Sequence, residues 1–174
     1  GDYEVAARYL VIKYPMKIVG AGRDKTTIRG GGFHIEGKKE EGKEVCVQGM
    51  TMMGSSNAGL FNDNGLSWLC DCMTFTQCGY SGVFAVNTKG RLINCVITQC
   101  GDSGIYCGSN ALIELEGSQT KVDFNGTLGF SFSYGLMTYD TSSKIHLLFP
   151  LTKESVSTNN NGGQNYGSLD IEAV

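Results

Sequence analysis

The sequence has few residues of the kinds that most often carry out chemistry. Its 174 residues include two histidines, His34 and His146, one tryptophan and two prolines. Neither sign of charge dominates, since 14 Lys and Arg residues stand against 17 Asp and Glu residues, for a net charge of −3. Without a basic field, the chain has little electrostatic attraction for the phosphates of a nucleic acid. We therefore expect no nucleic-acid partner.

Long apolar runs are missing as well. A membrane-spanning helix needs roughly 20 consecutive apolar residues, and no stretch of this sequence approaches that length, so we expect no membrane partner. Apolar residues also rarely recur at the three- and four-residue spacing of an amphipathic helix. This argues against a helical fold. The sequence assigns the chain to no cellular compartment.

What the sequence does have is a repeat between positions 50 and 117, in which the same kinds of residue recur at every 22nd or 23rd position. A fixed period in this range is typical of a solenoid, in which each unit buries its apolar side by stacking on its neighbours. The 25 glycines fit many tight corners between short strands. Two motifs carry the period: Met-Thr-Met/Phe at 50–52 and 73–75, and glycine-apolar-aromatic at 59–61, 82–84 and 104–106.

Short apolar and β-branched segments bounded by polar turns predict strands, for example at 10–12, 17–19, 44–47 and 112–115. Connections this brief cannot form the long crossovers of a βαβ unit. Three short strands and three turns do fill one period. The sequence therefore predicts an all-β fold, a single-stranded right-handed parallel β-helix of about seven coils, its handedness following the general rule for parallel crossovers.

We expect the whole chain, 1–174, to form a single domain of this kind. Residues 1–37 are predicted to be the N-terminal coils or cap, and 45–117 the regular repeats. The period breaks after Gly117, where 125–134 is predicted to be an insertion. Residues 150–174 are predicted to form the last coil and cap, with one coil around 154–158 and a final strand at 168–174.

Alternation of side chains along a strand predicts which residues of each coil face the core. The apolar residue after the repeated glycine should face inward, as should the residue two positions later. The first row is Leu60, Val83, Ile105 and Leu136, and the second is Asn62, Ala85, Cys107 and Thr138. A further trio, Asn64, Asn87 and Asn110, is evenly spaced at one period. We predict that it forms a ladder at one corner, since Asn tolerates left-handed backbone and its amides can pair along the axis.

The position between the two inward rows should face solvent, and it carries large apolar side chains. We define the aromatic stripe as Phe61, Phe84, Tyr106 and Met137, with Phe130 and Phe132 in the adjoining insertion as further candidate binding residues. A contiguous apolar band on a surface usually marks an interface. Three explanations stay open: the insertion covers the stripe, a second copy of the chain does, or an outside ligand binds there.

Seven cysteines is an odd number, so at least one stays unpaired within the chain. Cys72 and Cys95 are separated by one period, as are Cys78 and Cys100, which predicts each pair on neighbouring coils. The strand spacing of about 4.8 Å lies within the Cα–Cα range of a disulfide, so it does not exclude disulfides between coils. We favour free, buried thiols that act as small apolar side chains.

Two parts of the sequence resemble the pectin lyase-like superfamily of right-handed parallel β-helices. Residues 10–28 contain a strand, a proline, a second strand and a Gly-x-Gly-x-x-x-Thr-x-Ile turn, which is similar to the opening coil of many members. The units at 72–84 and 95–106 are similar to the parallel β-helix repeat. The resemblance implies the fold. It does not imply one function, because the superfamily includes lyases, hydrolases, epimerases, phage adhesins and non-catalytic domains.

Members that cleave polysaccharides need a base near a sugar C5 proton, with Ca²⁺ or an arginine, or else carboxylates at a set separation. The acidic residues of the repeat region are Asp63, Asp71, Asp102, Glu114, Glu116 and Asp123, at scattered positions of the coil. His34 and His146 are predicted to lie about five coils apart. Arg91 is predicted to align with Trp68 on the outer surface, where the two side chains could stack. No catalytic residue is assigned.

No cofactor or metal site is predicted, because Cys70-Asp71-Cys72 lacks a second ligand pair at zinc spacing. The sequence thus favours a non-catalytic β-helix scaffold that acts by binding or self-association through the aromatic stripe, as a homo-oligomer or with carbohydrate as a further candidate partner. The alternative is a polysaccharide-active enzyme of lyase or epimerase type, or a fragment of one. Because the chain begins with Gly1, a truncated or engineered protein also stays open.

Overall fold

The chain folds into a parallel β-solenoid of about seven turns. The structure is a computed structural model and describes residues 1–39, 42–167 and 170–174. Each turn contributes one strand to each of three parallel sheets, and each sheet contains seven strands. The all-β, parallel β-helix fold that the repeat predicts is therefore confirmed.

We name the sheets A, B and C in the order in which the chain visits them. Sheet A contains β1 (Asp2–Glu4), β4 (Thr27–Arg29), β7 (Thr51–Met53), β10 (Thr74–Thr76), β13 (Val96–Thr98), β16 (Lys121–Asp123) and β19 (Ser157–Thr158). Sheet B contains β2 (Tyr9–Ile12), β5 (Gly32–Ile35), β8 (Leu60–Asp63), β11 (Val83–Val86), β14 (Ile105–Gly108), β17 (Tyr134–Thr138) and β20 (Gln164–Gly167). Sheet C contains β3 (Met16–Val19), β6 (Glu44–Gln48), β9 (Ser67–Asp71), β12 (Lys89–Ile93), β15 (Leu112–Glu116), β18 (Lys144–Leu147) and β21 (Ile171–Ala173).

The strands predicted from apolar segments are all present. Those expected at 10–12, 17–19, 44–47 and 112–115 correspond to β2, β3, β6 and β15, and each differs from its prediction by a single residue at one end. The short β-branched and apolar runs suit strands that bury one face. Strand positions could thus be read from the sequence both in the N-terminal coils and in the regular repeats.

The last turn differs from its prediction. A short helix, α1 (Lys153–Val156), precedes β19 where a strand-like coil was expected around 154–158. A capping box explains the helix, because the Thr152 side chain accepts from the Ser155 N–H and the Ser155 hydroxyl accepts from the Thr152 N–H. The predicted final strand is present as β21, which continues sheet C beside β18. Residues 168 and 169 of that prediction lie outside the described residues.

The core is a column of rows, each built from one side chain per turn. Leu60, Val83, Ile105 and Leu136 are register partners on neighbouring strands of sheet B and are fully buried. The second predicted inward row, Asn62, Ala85, Cys107 and Thr138, is buried as well. The amide of Asn62 is satisfied locally, since it donates to the Leu66 carbonyl and accepts from the Gly65 N–H. Both inward rows are therefore confirmed.

The glycine of the repeated motif has a packing role. Cβ atoms placed at Gly82 and Gly104 would lie 2.3 Å from Ile97 Cγ2 and 2.4 Å from Val122 Cγ1. Both distances are far below van der Waals contact, so any larger residue would force the chain to shift. The inward side chains of sheet A press directly against the backbone where sheet B begins. Each position of the motif therefore has its own role. The glycine allows close approach of sheet A, the apolar residue packs in the core, and the aromatic residue lies on the outer surface.

Residues in the left-handed region make the corners. After the strands of sheet A, positive φ angles occur at Gly30, Gly54, Gln77, Gln99, Phe124 and Asn159. A single residue in the left-handed region bends the chain sharply. This conformation is strained for most residues other than Gly and Asn. Gln77 and Gln99 offset part of that cost, because the Gln77 amide donates to the Gln99 side chain at 3.4 Å.

The predicted alignment of Arg91 with Trp68 is wrong by one residue. Trp68 is the register partner of Gly90, and Arg91 is the partner of Leu69. A shift of one residue moves a side chain to the opposite face of a sheet, and Trp68 is indeed inside, with 1% of its surface exposed. Its indole fills the space that Gly90 leaves, since a Cβ at Gly90 would lie 2.1 Å from Trp68 Cζ2. Arg91 and Trp68 therefore cannot stack on the surface.

All seven cysteines are free, and five of them are buried: Cys70, Cys78, Cys95, Cys100 and Cys107. Burial raises the pKa of Cys95 and of Cys107 to about 12. The pKa of Cys100 is raised well above its usual value by a hydrogen bond with Cys78 and by burial. Cys95, Cys100 and Cys107 therefore stay protonated at neutral pH, and a thiol reacts through its thiolate.

We expect Val83→Asp to prevent folding, because it would bury an unpaired carboxylate between two turns. Val86→Asp is the matched control, since Val86 lies on the same strand in the adjoining outward row. Circular dichroism and thermal unfolding should show a cooperative transition for the control and none for Val83→Asp. A normal transition for Val83→Asp would contradict the inward assignment.

We expect thiol titration of the native protein to label the half-buried Cys46 and Cys72 at most. The five buried thiols should react only after denaturation, because the fold shields them from the reagent. The measurement is the stoichiometry of labelling before and after guanidinium is added. Rapid native labelling of most cysteines would show that the column opens readily.

Candidate functional site

The aromatic stripe lies on the outer face of sheet B. Phe61, Phe84, Tyr106 and Met137 are register partners on the neighbouring strands β8, β11, β14 and β17. The rings of Phe61 and Phe84 stack with centroids 5.1 Å apart and planes 12° apart, and those of Phe84 and Tyr106 stack at 4.6 Å and 3°. The spacing of the turns thus aligns three rings into one stack along the solenoid axis.

The stripe is longer than the sequence predicted. His34 is the register partner of Phe61, and its ring packs edge-on against Phe61 at 4.9 Å. Tyr9 contacts the rings of both His34 and Phe61, while Tyr139 contacts Tyr106 at 5.9 Å. The stretch of chain from His34 to Phe61 is longer than the period of the repeat, so the repeat could not reveal His34. Alternation along the strand after Met137 could have revealed Tyr139.

Stacking decides which part of each ring meets solvent. Phe61, Phe84, Tyr106 and Met137 are half-buried, and each of the three stacked rings covers a face of its neighbour. Ring edges are therefore presented outward more than ring faces. Burial also raises the pKa of Tyr106 to about 12, so its hydroxyl stays neutral over the ordinary pH range. The resulting surface is a ridge of aromatic rings with a repeat of one turn.

The insertion is hydrogen-bonded to the preceding turn of the solenoid. It connects β16 of sheet A to β17 of sheet B, and the N–H groups of Gly126 and Leu128 donate to the carbonyls of Asp102 and Gly101 in the previous turn. The rings of Phe130 and Phe132 stack on each other at 5.2 Å and are 42% and 61% exposed. Within the described part of the chain, neither ring contacts a ring of the stripe. The structure therefore separates the candidate residues into a stripe and an insertion pair, Phe130 and Phe132.

Buried polar groups attach the insertion to the solenoid. The Asn125 amide is fully buried, donates to the Ile97 carbonyl at 3.0 Å and accepts from the Cys100 N–H at 3.1 Å. At the other end of the insertion, the Ser133 hydroxyl donates to the buried carboxylate of Asp102. Such bonds are costly to leave unmade once their groups are buried. Asp102 and Ser133 therefore fasten this end of the insertion to the preceding turn.

The three asparagines lie at the corner between sheets B and C, all with positive φ angles. The Asn87 amide donates to the Asn64 side-chain oxygen, which is the pairing expected of a ladder. Asn110 lies one residue further along, because Ser109 is the residue that follows β14 in register with Asn87. The N–H of Asn110 donates instead to the Ser142 hydroxyl at 3.0 Å. The structure thus joins two of the three side chains.

Charged groups gather on the outer face of sheet C. Arg91 donates from Nε and Nη2 to one oxygen of Glu114, at 3.0 and 2.8 Å, and lies 3.7 Å from Glu116. A shallow depression of ≈ 280 Å³ lies beside this cluster, with Ser67 and Leu69 among its lining residues. The guanidinium is therefore already neutralised by two carboxylates. Its pKa is raised, chiefly by the hydrogen bond to Glu114.

The histidines do not meet. His34 lies on the second strand of sheet B and His146 on the sixth strand of sheet C, so they are four turns apart rather than the predicted five. Among the described residues, no group of three or more His, Cys, Asp or Glu side chains could hold a metal ion. In the same part of the chain, no helix is long and apolar enough to cross a membrane.

These features define the protein as a parallel β-solenoid with an aromatic ridge on one sheet and an anchored insertion beside it. No protein-family model matches the chain, and no curated protein or solved structure matches it at a significant level. A solenoid supports many unrelated functions, so the function has to be argued from the surface of this one.

Proposed function

We propose that the protein is a non-catalytic scaffold that associates with a second copy of itself through the aromatic stripe. The observation that carries the proposal is the stack of Phe61, Phe84 and Tyr106 on the outer face of sheet B, with Tyr9 and Tyr139 at its margins. An apolar band of this extent usually marks an interaction surface. It lies on a regular sheet face, which pairs well with another sheet face.

The orientation of the rings favours a protein partner over a carbohydrate. A sugar packs its C–H groups against the face of an aromatic ring, and here the stacked faces of Phe61, Phe84 and Tyr106 cover one another. Ring edges suit edge-to-face contact with other aromatic rings, worth about 0.5–1.5 kcal/mol a pair. A second copy supplies such rings at the same spacing of one turn. A two-fold axis through the stripe would bring the two ridges together as a closed, self-complementary pair.

Phe84→Ser should convert the associated protein to monomer, because Phe84 makes both stacks at the centre of the stripe. The matched control is Phe130→Ser, which removes an aromatic ring of the insertion pair and should leave the mass unchanged. Sedimentation equilibrium over a range of concentrations measures the mass, and circular dichroism confirms that both variants fold. A monomeric parent protein, or a Phe84→Ser variant with the parent's mass, would overturn the proposal.

The enzymatic alternative rests on the resemblance to the pectin lyase-like superfamily, which we retain as a proposal for the ancestry of the fold. The depression on sheet C favours it, because Arg91 there could neutralise the carboxylate of an acidic sugar. Arg91 is already engaged by Glu114 and Glu116, however. A substrate would have to displace both carboxylates before it could use the cation.

We therefore expect no lyase activity on acidic polysaccharides. The measurement is the ultraviolet absorbance of the unsaturated product, with a known lyase as a positive control for each substrate. An absorbance increase that disappears in Arg91→Ala would replace the scaffold proposal by the enzymatic alternative. An increase that survives in Arg91→Ala would place catalysis elsewhere on the chain and would equally reject a non-catalytic function.

A further inference from the structure

The depression on the outer face of sheet C has two unpaired charges in its lining. They belong to Glu44 on β6 in the second turn and Lys89 on β12 in the fourth turn, and both side chains are exposed. Within the described part of the chain, neither side chain takes part in an ion pair or a hydrogen bond. Arg91 and Glu114 in the same lining are instead paired with each other. The depression therefore offers one available anion and one available cation.

The register of sheet C sets the separation of these two charged residues. Ser67 is the register partner of Glu44, and Lys89 continues the same outward row, because the adjoining residues Trp68 and Gly90 are partners. Glu44 and Lys89 are therefore two turns apart, a distance of about 9.6 Å between their backbones at the usual strand spacing. The residue between them is a serine with a short side chain, so no bulky group fills the space between the two charges.

We propose that this depression binds a short, extended peptide with free termini. The ammonium group of the peptide would pair with Glu44 and its carboxylate with Lys89, so that the peptide lies along the solenoid axis. Three extended residues span roughly 10 Å, which matches the separation of two turns. The two charges of a single amino acid are too close together to match it.

The rest of the lining suits a ligand of this kind. Leu69 is half-buried and offers an apolar contact to a side chain of the peptide. The Ser67 hydroxyl has no hydrogen-bond partner among the described residues, so it is available to a peptide N–H or C=O group.

Charge balance favours a zwitterion over a simple anion or cation. The ion pair of Arg91 and Glu114 adds no net charge to the depression, and Glu44 and Lys89 also balance one another. A ligand with a single charge would pair with one of these two residues only. A peptide with both termini free would pair with both at once.

The test measures binding of the tripeptide glycyl-leucyl-glycine by the chemical-shift changes of the Ser67, Leu69 and Gly90 backbone amides. Glu44→Ala and Lys89→Ala should each weaken binding by about twofold to fivefold, the size expected of one exposed ion pair. Both residues are exposed, so the variants should fold as the parent does. Lys144→Ala is the matched control and should bind as the parent does, because Lys144 continues the row of Lys89 outside the depression.

Blocked peptides show which terminus meets which residue. Acetylation of the amino terminus should weaken binding to the parent and have no further effect in Glu44→Ala. Amidation of the carboxyl terminus should weaken binding to the parent and have no further effect in Lys89→Ala. Each comparison is a double-mutant cycle in which one change is made in the ligand.

The proposal is overturned if the free tripeptide causes no saturable shift of these amides, or if a peptide blocked at both termini binds equally well. It is also overturned if Lys144→Ala weakens binding as much as Lys89→Ala does. None of these outcomes bears on association through the stripe, because the stripe lies on sheet B and the depression on sheet C. Either proposal can therefore fail while the other stands.

Discussion

A turn of this solenoid can bury its apolar side chains only against the turns above and below it. Every turn must therefore place the same kind of side chain at the same position, and Leu60, Val83 and Ile105 do so in sheet B. The turns of these three residues also have a glycine where sheet B begins, because the side chains of sheet A leave no space for a Cβ atom there. The repeat in the sequence follows from this need to stack equivalent side chains on neighbouring turns.

The same requirement shapes the outer surface. Once the inward residues are in register, the residues between them are in register too, so Phe61, Phe84 and Tyr106 stack as a consequence of the core. Stacking gives the rings a structural role of their own and half-buries them. It also turns their edges outward, which is the reason that we favour a protein partner. The ridge is therefore both a product of the fold and its best candidate for an interaction.

Polar and charged groups mostly serve the architecture. Asp102 and Asn125 attach the insertion, and Arg91 joins strands β12 and β15 through Glu114. Near the stripe, Asp140 accepts hydrogen bonds from Ser142, Ser143 and the Ser109 N–H, which lower its pKa to about 2. That carboxylate therefore remains ionised at any ordinary pH and holds the turn after β17.

The period of the repeat by itself determined the fold class, both inward rows and the outward position of Phe61, Phe84, Tyr106 and Met137, because alternation and stacking follow from spacing alone. The tertiary structure decided the features that the spacing of the repeat does not specify. Turns of irregular length brought His34 and Tyr9 to the stripe and displaced Asn110 from the ladder. Trp68 is buried in the space beside Gly90, whereas the sequence had predicted that it aligns with Arg91 on the outer surface. The insertion's position depended on hydrogen bonds to another turn, which no local pattern in the sequence encodes.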